Sequence, residues 1–219
     1  MATKEEKKEA IRQQIVRAAE IYSRELAGKT FLYVYGQEYF EVSFMTDRFL
    51  HLTGVESKLS ARDFYRKARS KKLDAKQFYF TQNHSLGTAK KKLPCLERLP
   101  ELTTTMVCIL KELSTVTIRY SLGVTNLEFT LGLTEHTDQN GDKIDDVFLP
   151  RTLRVKDDTV AKSADGDIVD FIFVKDAAKS IYETLAFEDK GKKVPESIRK
   201  LIDPKFYQNE SDDESIEEV

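Results

Sequence analysis

The stretch Phe49–Val55 reads FLHLTGV, and it lies between a predicted hairpin and a predicted basic helix. Side chains on a β-strand alternate between two faces, so His51 and Thr53 would lie on the face of Phe49. The two leucines of the stretch would lie on the other face. We therefore expect a strand here that presents one imidazole and one hydroxyl together.

Two elements are predicted before this stretch. Residues 4–27 carry apolar side chains at three- and four-residue steps, which indicates an amphipathic helix, and Gly28 is a typical helix stop. Residues 30–45 contain two aromatic-rich runs around Gly36, which predicts a β-hairpin. Because both faces of the first of these strands are apolar, we expect protein to cover it on both sides.

A basic helix is predicted after the central stretch. Ser60 is followed three residues later by Asp63, a pattern typical of a helix N-cap. The outer face of this helix and its end carry six cations, namely Arg62, Arg66, Lys67, Arg69, Lys71 and Lys72. Further along, Pro94 and Pro100 are expected to cut short any helix that contains them.

The second half of the chain predicts mostly β-structure. Residues 106–113 fit a strand or the end of a helix, and Gly123 marks an expected turn. Alternating patterns predict strands at residues 116–120, 127–133, 147–155 and 168–174, followed by a last helix at residues 177–186. Pro150 cannot donate a ladder hydrogen bond, so it indicates an edge strand or a bulge. Residues 210–219 are predicted to be disordered.

Composition limits the class of protein. The chain has 219 residues, 40% of them hydrophobic, which is enough to bury one sizeable core. The net charge of −2 hides a basic middle, residues 58–98, and an acidic tail, residues 209–219. We expect Cys95 and Cys108 to be reduced thiols, as is usual in a cytosolic protein. No apolar run approaches the ~20 residues that a membrane span needs. We therefore expect a soluble, cytoplasmic protein that does not act at a membrane.

His51 is the sharpest candidate for catalysis, because the pKa of imidazole lies nearest to neutrality and suits acid or base chemistry. The alternative is a buried histidine that bonds a backbone carbonyl. The basic residues of the segment 58–98, which we call the basic block, could bind the phosphate backbone of a nucleic acid. The alternative is that they form the solvent-exposed face of a helix. The Cys and His residues are not spaced as zinc ligands are. The sequence has no Gly-x-x-x-x-Gly-Lys phosphate-binding loop, so nothing supports ATP-driven chemistry, and no G-x-S-x-G motif, so nothing supports a serine hydrolase. We expect no cofactor and no metal.

A third group of candidates lies near the ends of the later strands. Residues 149–157, 170–175 and 181–185 carry cations and a tyrosine at positions where strands are predicted to finish. These residues fit a phosphate site, and the alternative is that they are ordinary rim cations.

Taken in order, the hairpin, Phe49–Val55, Leu59–Tyr65, Pro150–Asp157, Phe171–Lys175 and Tyr182 resemble a known family. It is the fourth group of the phage-Barnase-EndoU-Colicin-RelE-like nucleases, associated with phages and mobile elements. The resemblance runs from about residue 29 to residue 185. It implies an α+β fold in which N-terminal helices pack on a curved, mainly antiparallel sheet. It also implies metal-independent RNA cleavage through attack of the ribose 2′-hydroxyl on the adjacent phosphate.

The resemblance also assigns roles to residues of this chain. His51 would act as acid or base. The residues that it places in catalysis are His51, Thr53, Arg154, Lys175 and Tyr182. The resemblance adds Arg151 and Thr152 as residues that would contact the nucleic acid. The cations of the basic helix are predicted to bind nucleic acid from their charge and not from the resemblance; they are Arg62, Arg66, Lys67, Arg69, Lys71 and Lys72.

Two functions therefore remain open. The first is an RNA-cleaving toxin or effector, with RNA as substrate and an antitoxin or immunity protein as a candidate partner. The second is a non-catalytic module on the same fold that binds nucleic acid or a protein. For either function we divide the chain into an N-terminal helix (1–28), a nuclease-like α+β domain (29–190) and a charged C-terminal segment (191–219) that ends in the acidic tail.

Overall fold

The structure is a computed structural model that describes residues 3–114, 119–155 and 166–208. Its α-helices are α1 (Lys4–Glu25), α2 (Phe49–Thr53), α3 (Ala61–Arg69) and α4 (Leu86–Glu97). Its strands are β1 (Lys29–Tyr35), β2 (Glu38–Ser43), β3 (Glu56–Ser57), β4 (Phe78–Tyr79), β5 (Cys108–Ser114), β6 (Arg119–Thr125), β7 (Phe129–Thr137), β8 (Lys143–Val155), β9 (Asp167–Ile168), β10 (Phe171–Asp176) and β11 (Thr184–Glu188). Short 3-10 helices occur at Thr46–Arg48, Ala75–Gln77, Leu99–Thr103, Glu196–Ile198 and Pro204–Phe206.

One large sheet dominates the described part of the chain. Its nine strands follow the order β11-β10-β1-β2-β8-β7-β6-β5-β9. Every neighbouring pair is antiparallel except β2 and β8, which run parallel. The sheet curls so far that the chain passes directly from pairing with β5 at Ile168 to pairing with β1 at Phe171. This is the predicted α+β fold with a curved, mainly antiparallel sheet.

The helices pack on one face of this sheet. Ile15 and Tyr22 of α1, Phe64 of α3 and Leu93 of α4 are buried in the same core as Phe31 of β1. The N-terminal helix is therefore confirmed, and Thr3 caps it by accepting a hydrogen bond from the Glu6 backbone N–H. The predicted hairpin and the Ser60 cap of α3 are confirmed as well.

The other face of β1 and β10 carries a second, smaller core. Leu32 of β1 and Phe173 of β10 pack there against Val194, Ile198 and Ile202. The described part of the charged C-terminal segment thus supplies a cover for the sheet, and β1 is buried on both faces as predicted. The acidic tail, residues 209–219, lies outside the described residues, as do residues 115–118 of one predicted strand.

The prediction of a strand at Phe49–Val55 is wrong, because residues Phe49–Thr53 form the short helix α2. Phe49 and Leu52 are three residues apart, so a helix turns both toward the core, where both are fully buried. The ring of Phe49 makes edge contacts with the rings of Tyr22 and Tyr65. Gly54 ends the helix in the left-handed conformation at φ +76°.

Three smaller predictions also fail. Pro94 lies inside α4 and does not end it, because Leu93 and Leu96 are buried on either side and offset one lost backbone hydrogen bond. Gly123 lies within β6, so the turn comes later. Residues 177–186 form a turn and the start of β11, since the backbone of Tyr182 bonds the backbones of Leu201 and Asp203.

Pro150 occupies a bulge in an interior strand. β8 lies between β2 and β7, and its register with β7 shifts at Pro150, so of the two predicted alternatives the bulge is confirmed. Gly132 of β7 pairs with Thr152, and the next residue, Leu133, pairs with Pro150. Arg151 is therefore the extra residue of the bulge. A bulge turns the side chain of its extra residue away from the regular alternation.

Alanine substitutions at Phe49 and Leu50 test whether residues 49–53 form a helix or a strand. Phe49→Ala should lower the free energy of unfolding by about 3–5 kcal/mol, because it removes a fully buried aromatic side chain. Leu50→Ala should cost less than half as much, since Leu50 is only half-buried. Chemical denaturation of both variants measures the difference. A strand would instead bury both leucines, so a larger loss for Leu50→Ala would contradict the helix.

Candidate active site

His51 lies on the outer side of α2. The inward-facing Phe49 and Leu52 fix the rotation of this short helix, and the imidazole is left exposed. The sequence left open whether His51 is a catalytic candidate or a buried core histidine, and its exposure excludes the buried histidine. A side chain that is exposed on a helix anchored by buried neighbours is available to a ligand and held in place at the same time.

Two arginines influence His51. The pKa of the His51 imidazole is lowered, first by desolvation from the surrounding protein, then by the positive charges of Arg151 and Arg48. The charges of Asp47 and Glu56 oppose this shift without reversing it. Although the ring is exposed, enough protein surrounds it to favour the uncharged form. His51 is therefore suited to accept a proton at neutral pH.

Glu56 contacts a second imidazole and acts on His51 through its charge. Its carboxylate Oε1 lies 2.7 Å from Nδ1 of His84, and its charge also acts on His51. Both members of the His84–Glu56 pair are about two-fifths exposed, at 38% and 40% of their side chains. The Nδ1 atom itself is buried against the carboxylate, outside good hydrogen-bond geometry. A contact through Nδ1 leaves the opposite side of the ring to face solvent.

Local structure holds this pair in position. Glu56 belongs to β3, which pairs with β4 in a separate two-stranded sheet. His84 precedes Ser85, the N-cap of α4, and a tight turn joins it to Thr81 through two hydrogen bonds, of 3.0 Å and 3.1 Å. We call His51, Arg48, Arg151, Glu56 and His84 the imidazole cluster.

Thr53 has a structural position in α2. Its side chain is fully buried, its hydroxyl donates to the Leu50 carbonyl at 2.7 Å, and it accepts from the Val55 backbone N–H. The hydroxyl therefore closes the last turn of the helix.

Thr152 and Arg154 follow the bulge of β8. Thr152 is 9% exposed, and Arg154 is half-buried. Arg154 lines a cavity of about 290 Å³ together with Ser85, Lys91 and Lys92 of the α4 region. Arg154 thus lies near the start of α4, beside the residue that follows His84.

Lys175 and Tyr182 lie elsewhere. Lys175 pairs with Thr30 of β1 and faces the second core, on the opposite side of the sheet from α2. Its Nζ atom lies 4.3 Å from the centre of the Tyr182 ring. Tyr182 is fully buried, and burial together with the nearby charge of Glu41 raises its pKa. The structure thus brings Lys175 and Tyr182 together, but not with His51.

The cations of the basic helix are spread over a wide surface. Lys71 contacts Glu20 at 2.7 Å, and Arg66 contacts Asp63 at 2.7 Å, so both are partly neutralised. Three of the predicted residues, Arg62, Arg66 and Arg69, line a shallow cavity of about 580 Å³. Arg62 borders the imidazole cluster through Asp47, which lies 3.8 Å from Arg62 and 3.6 Å from Arg48. Lys67 is half-buried and Lys72 is exposed.

Neither a metal cluster nor a membrane helix is found in the described ranges. No three His, Cys, Asp or Glu side chains of residues 3–114, 119–155 and 166–208 come together as ligands for an ion. Across the same part of the chain, every helix is too short or too polar to cross a membrane.

A family-wide sequence profile matches residues 14–191, and its description is phage-Barnase-EndoU-ColicinE5/D-RelE like nuclease4. The chain belongs to this family. The match includes α1 from its second half, the whole sheet and every residue of the imidazole cluster, so this part of the protein is a nuclease-like domain. No curated protein and no solved structure matches the chain.

Reasoning from the sequence missed His84, Glu56 and Arg48. His84 stands in a polar stretch that resembles an ordinary loop, and Glu56 follows a glycine turn. Their contact depends on the pairing of β3 with β4, which are some twenty residues apart in the chain. No local sequence pattern predicts this pairing. Arg48 was detectable as a cation three residues before His51, but the predicted strand gave no reason to bring the two together.

The pKa of His51 tests the electrostatics of the cluster. In wild-type protein, His51 should titrate below the ordinary imidazole value of 6.5 because burial and two cations disfavour its charged form. Arg151→Gln removes one of these cations and should raise the midpoint toward, but not past, the ordinary value. Proton NMR titration of the three histidines measures this.

Proposed function

We propose that this nuclease-family protein is a metal-independent endoribonuclease that cleaves RNA by attack of the 2′-hydroxyl. The observation that carries the proposal is the exposed His51, whose pKa is lowered by burial and by the charges of Arg151 and Arg48, together with Glu56, whose charge acts on His51 and whose carboxylate contacts the second imidazole, His84. Such cleavage needs a base, an acid and positive charge at the phosphate, and the imidazole cluster contains candidates for all three.

The chemistry assigns one proton transfer to each imidazole. Neutral His51 takes the proton of the 2′-hydroxyl as its oxygen bonds the phosphorus atom. His84 delivers a proton to the departing 5′-oxygen as the phosphorus–oxygen bond breaks. The products are a 2′,3′-cyclic phosphate and a free 5′-hydroxyl, so no water is consumed in this step.

Arg151 and Arg48 take the role of the charge-stabilising cations. Negative charge grows on the non-bridging phosphate oxygens in the transition state, and fixed guanidinium groups stabilise it without reorganising. Arg151 stands at the bulge of β8, and its charge acts on His51. The same charge that binds phosphate also keeps His51 neutral, so the two functions reinforce each other.

The remaining predicted residues support the site less directly. Arg154, with Lys91 and Lys92, offers positive charge for the next phosphate along the strand. The arginines of α3 extend the basic surface beyond Asp47. Thr53, Lys175 and Tyr182 are assigned to maintaining the fold, since Thr53 and Tyr182 are fully buried and Lys175 packs on Tyr182.

RNA cleavage by purified protein tests the proposal. Wild-type protein incubated with total RNA in EDTA should release fragments that end in 2′,3′-cyclic phosphate. His51→Ala should reduce the rate by ~10²–10⁴, as expected on loss of one acid or base. His84→Ala should produce a loss of the same order.

His136→Ala is the matched control, because it removes an imidazole that contacts the Asp145 carboxylate near the turn between β7 and β8, outside the imidazole cluster, and it should leave the rate unchanged. Cleavage that needs added metal, or that survives His51→Ala, would contradict the mechanism. RNA that is bound but never cleaved would favour the non-catalytic nucleic-acid-binding module.

We further propose that the protein is a toxin or effector of a phage or mobile element, acts in the cytoplasm, and is restrained by an antitoxin or immunity protein. The family description supports the phage association. Induced expression in a bacterial host should arrest growth, and His51→Ala should relieve the arrest at equal protein level. Arrest that persists in that variant would separate toxicity from cleavage and overturn the assignment.

A further inference from the structure

A cavity of about 460 Å³ opens between the first turns of α1 and the strand β4. This volume falls within the ~300–1,000 Å³ of small-ligand pockets. It is lined by three lysines and three apolar residues, namely Lys4, Lys7, Lys8, Tyr79, Phe80 and Leu86. Sequence reasoning treated the lysines as the solvated face of a packing helix, and the nuclease mechanism does not use them.

The three lysines form one positive surface. Residues three and four apart share a helix face, so Lys4, Lys7 and Lys8 point to the same side of α1. No acidic side chain of the described residues makes an ion pair with any of the three. The nearby Glu6 is engaged in the helix cap, where it accepts from the Thr3 backbone N–H at 2.7 Å. This surface is therefore complementary to an anion.

The floor of the cavity is aromatic. Tyr79 is 40% exposed. Phe80 is half-buried beside it, and Phe78 lies fully buried beneath, with Nζ of Lys8 5.2 Å from its ring centre. An exposed ring next to cations matches the two components of a nucleotide, a flat base and a phosphate.

The cavity borders the imidazole cluster. Tyr79 stands directly opposite Glu56 in the β3–β4 pair, and directly opposite residues in an antiparallel pair have neighbouring side chains. Glu56 in turn contacts His84. Leu86 lies two residues after His84, at the start of α4. A strand of nucleic acid whose phosphate reaches the imidazoles would thus have a neighbouring nucleotide at Tyr79.

We propose that the cavity at Tyr79 binds one nucleotide of single-stranded RNA, next to the phosphate that is cleaved. Its base stacks on Tyr79 and Phe80, and its phosphate lies against Lys4, Lys7 and Lys8. A base inside a duplex is already stacked on its neighbours and cannot offer its face, so the site selects unpaired RNA. The choice of RNA as the polymer rests on the proposed function, whereas the stacking site rests on the geometry of the cavity.

Binding is best measured in the His51→Ala background, where cleavage of the probe is slowed by ~10²–10⁴. The probe is a 12-nucleotide single-stranded RNA that carries 2-aminopurine, whose fluorescence falls when the base stacks. Tyr79→Ala should weaken binding about 5–100-fold, the effect of losing one stacked base, and should abolish the change in 2-aminopurine fluorescence at one position.

Tyr39→Ala is the matched control, because Tyr39 is 39% exposed and lies on the opposite face of the large sheet. It should bind the probe like its parent. Since Tyr79 is a surface residue, its variant should fold normally, which a thermal melt checks.

Salt dependence tests the lysines separately. The triple variant Lys4→Ala, Lys7→Ala, Lys8→Ala should lower the slope of log affinity against log salt by about 0.7, since the site neutralises one phosphate and each phosphate contact on a single strand contributes ~0.7. The same number of charges removed at Lys179, Lys190 and Lys200 should leave the slope unchanged.

The two proposals fail in different ways. Tyr79-dependent binding without any cleavage by wild-type protein would sustain the nucleotide site and overturn the nuclease mechanism. Cleavage by wild-type protein, with binding indifferent to Tyr79 and to the three lysines, would sustain the mechanism and overturn the site. A preference for duplex over single-stranded RNA would also overturn the site.

Discussion

The packing of Phe49 is the constraint on which the functional half of the molecule depends. Its ring fills a fully buried position among Tyr22, Phe64 and Tyr65, and so joins α1, α2 and α3 in one core. A helix of five residues has too few internal hydrogen bonds to be stable alone. Its shape and its rotation are therefore set by burial, and the exposed position of His51 follows from the buried positions of its neighbours.

The second constraint is the bulge at Arg151. In a regular strand, the side chains of β8 would alternate between core and the opposite face without interruption. The extra residue breaks this alternation at the point where β8 passes α2, and Pro150, which has no N–H to give, occupies the break at little cost. A cation is thus placed where a strand facing the core would otherwise hold an apolar residue, and the charge of Arg151 reaches His51.

Local patterns were sufficient for α1, the β1–β2 hairpin and the capped helix α3, because in each the apolar spacing and the capping residue agree. They failed at residues 49–53, where alternation and helical spacing both fit so short an apolar run, and at residues 177–186, whose partners lie near residue 202. For the site, an imidazole among apolar residues pointed to His51. The contact of Glu56 with His84 depends on strand pairing, which a single sequence does not display.

The distribution of charge in the sequence is a poor guide to the charge on the folded surface, and the structure explains why. Two cations of the conspicuous basic block, Arg66 and Lys71, face carboxylates of α3 and α1. The lysines of α1, by contrast, alternate with glutamates and look neutral in sequence, yet the helix separates the two signs onto different sides. What an anionic polymer meets is the charge on one face of a folded element. The cavity at Tyr79 therefore has a stronger case as a nucleotide site than the denser basic block, because there the cations stand beside an exposed ring and next to the imidazoles.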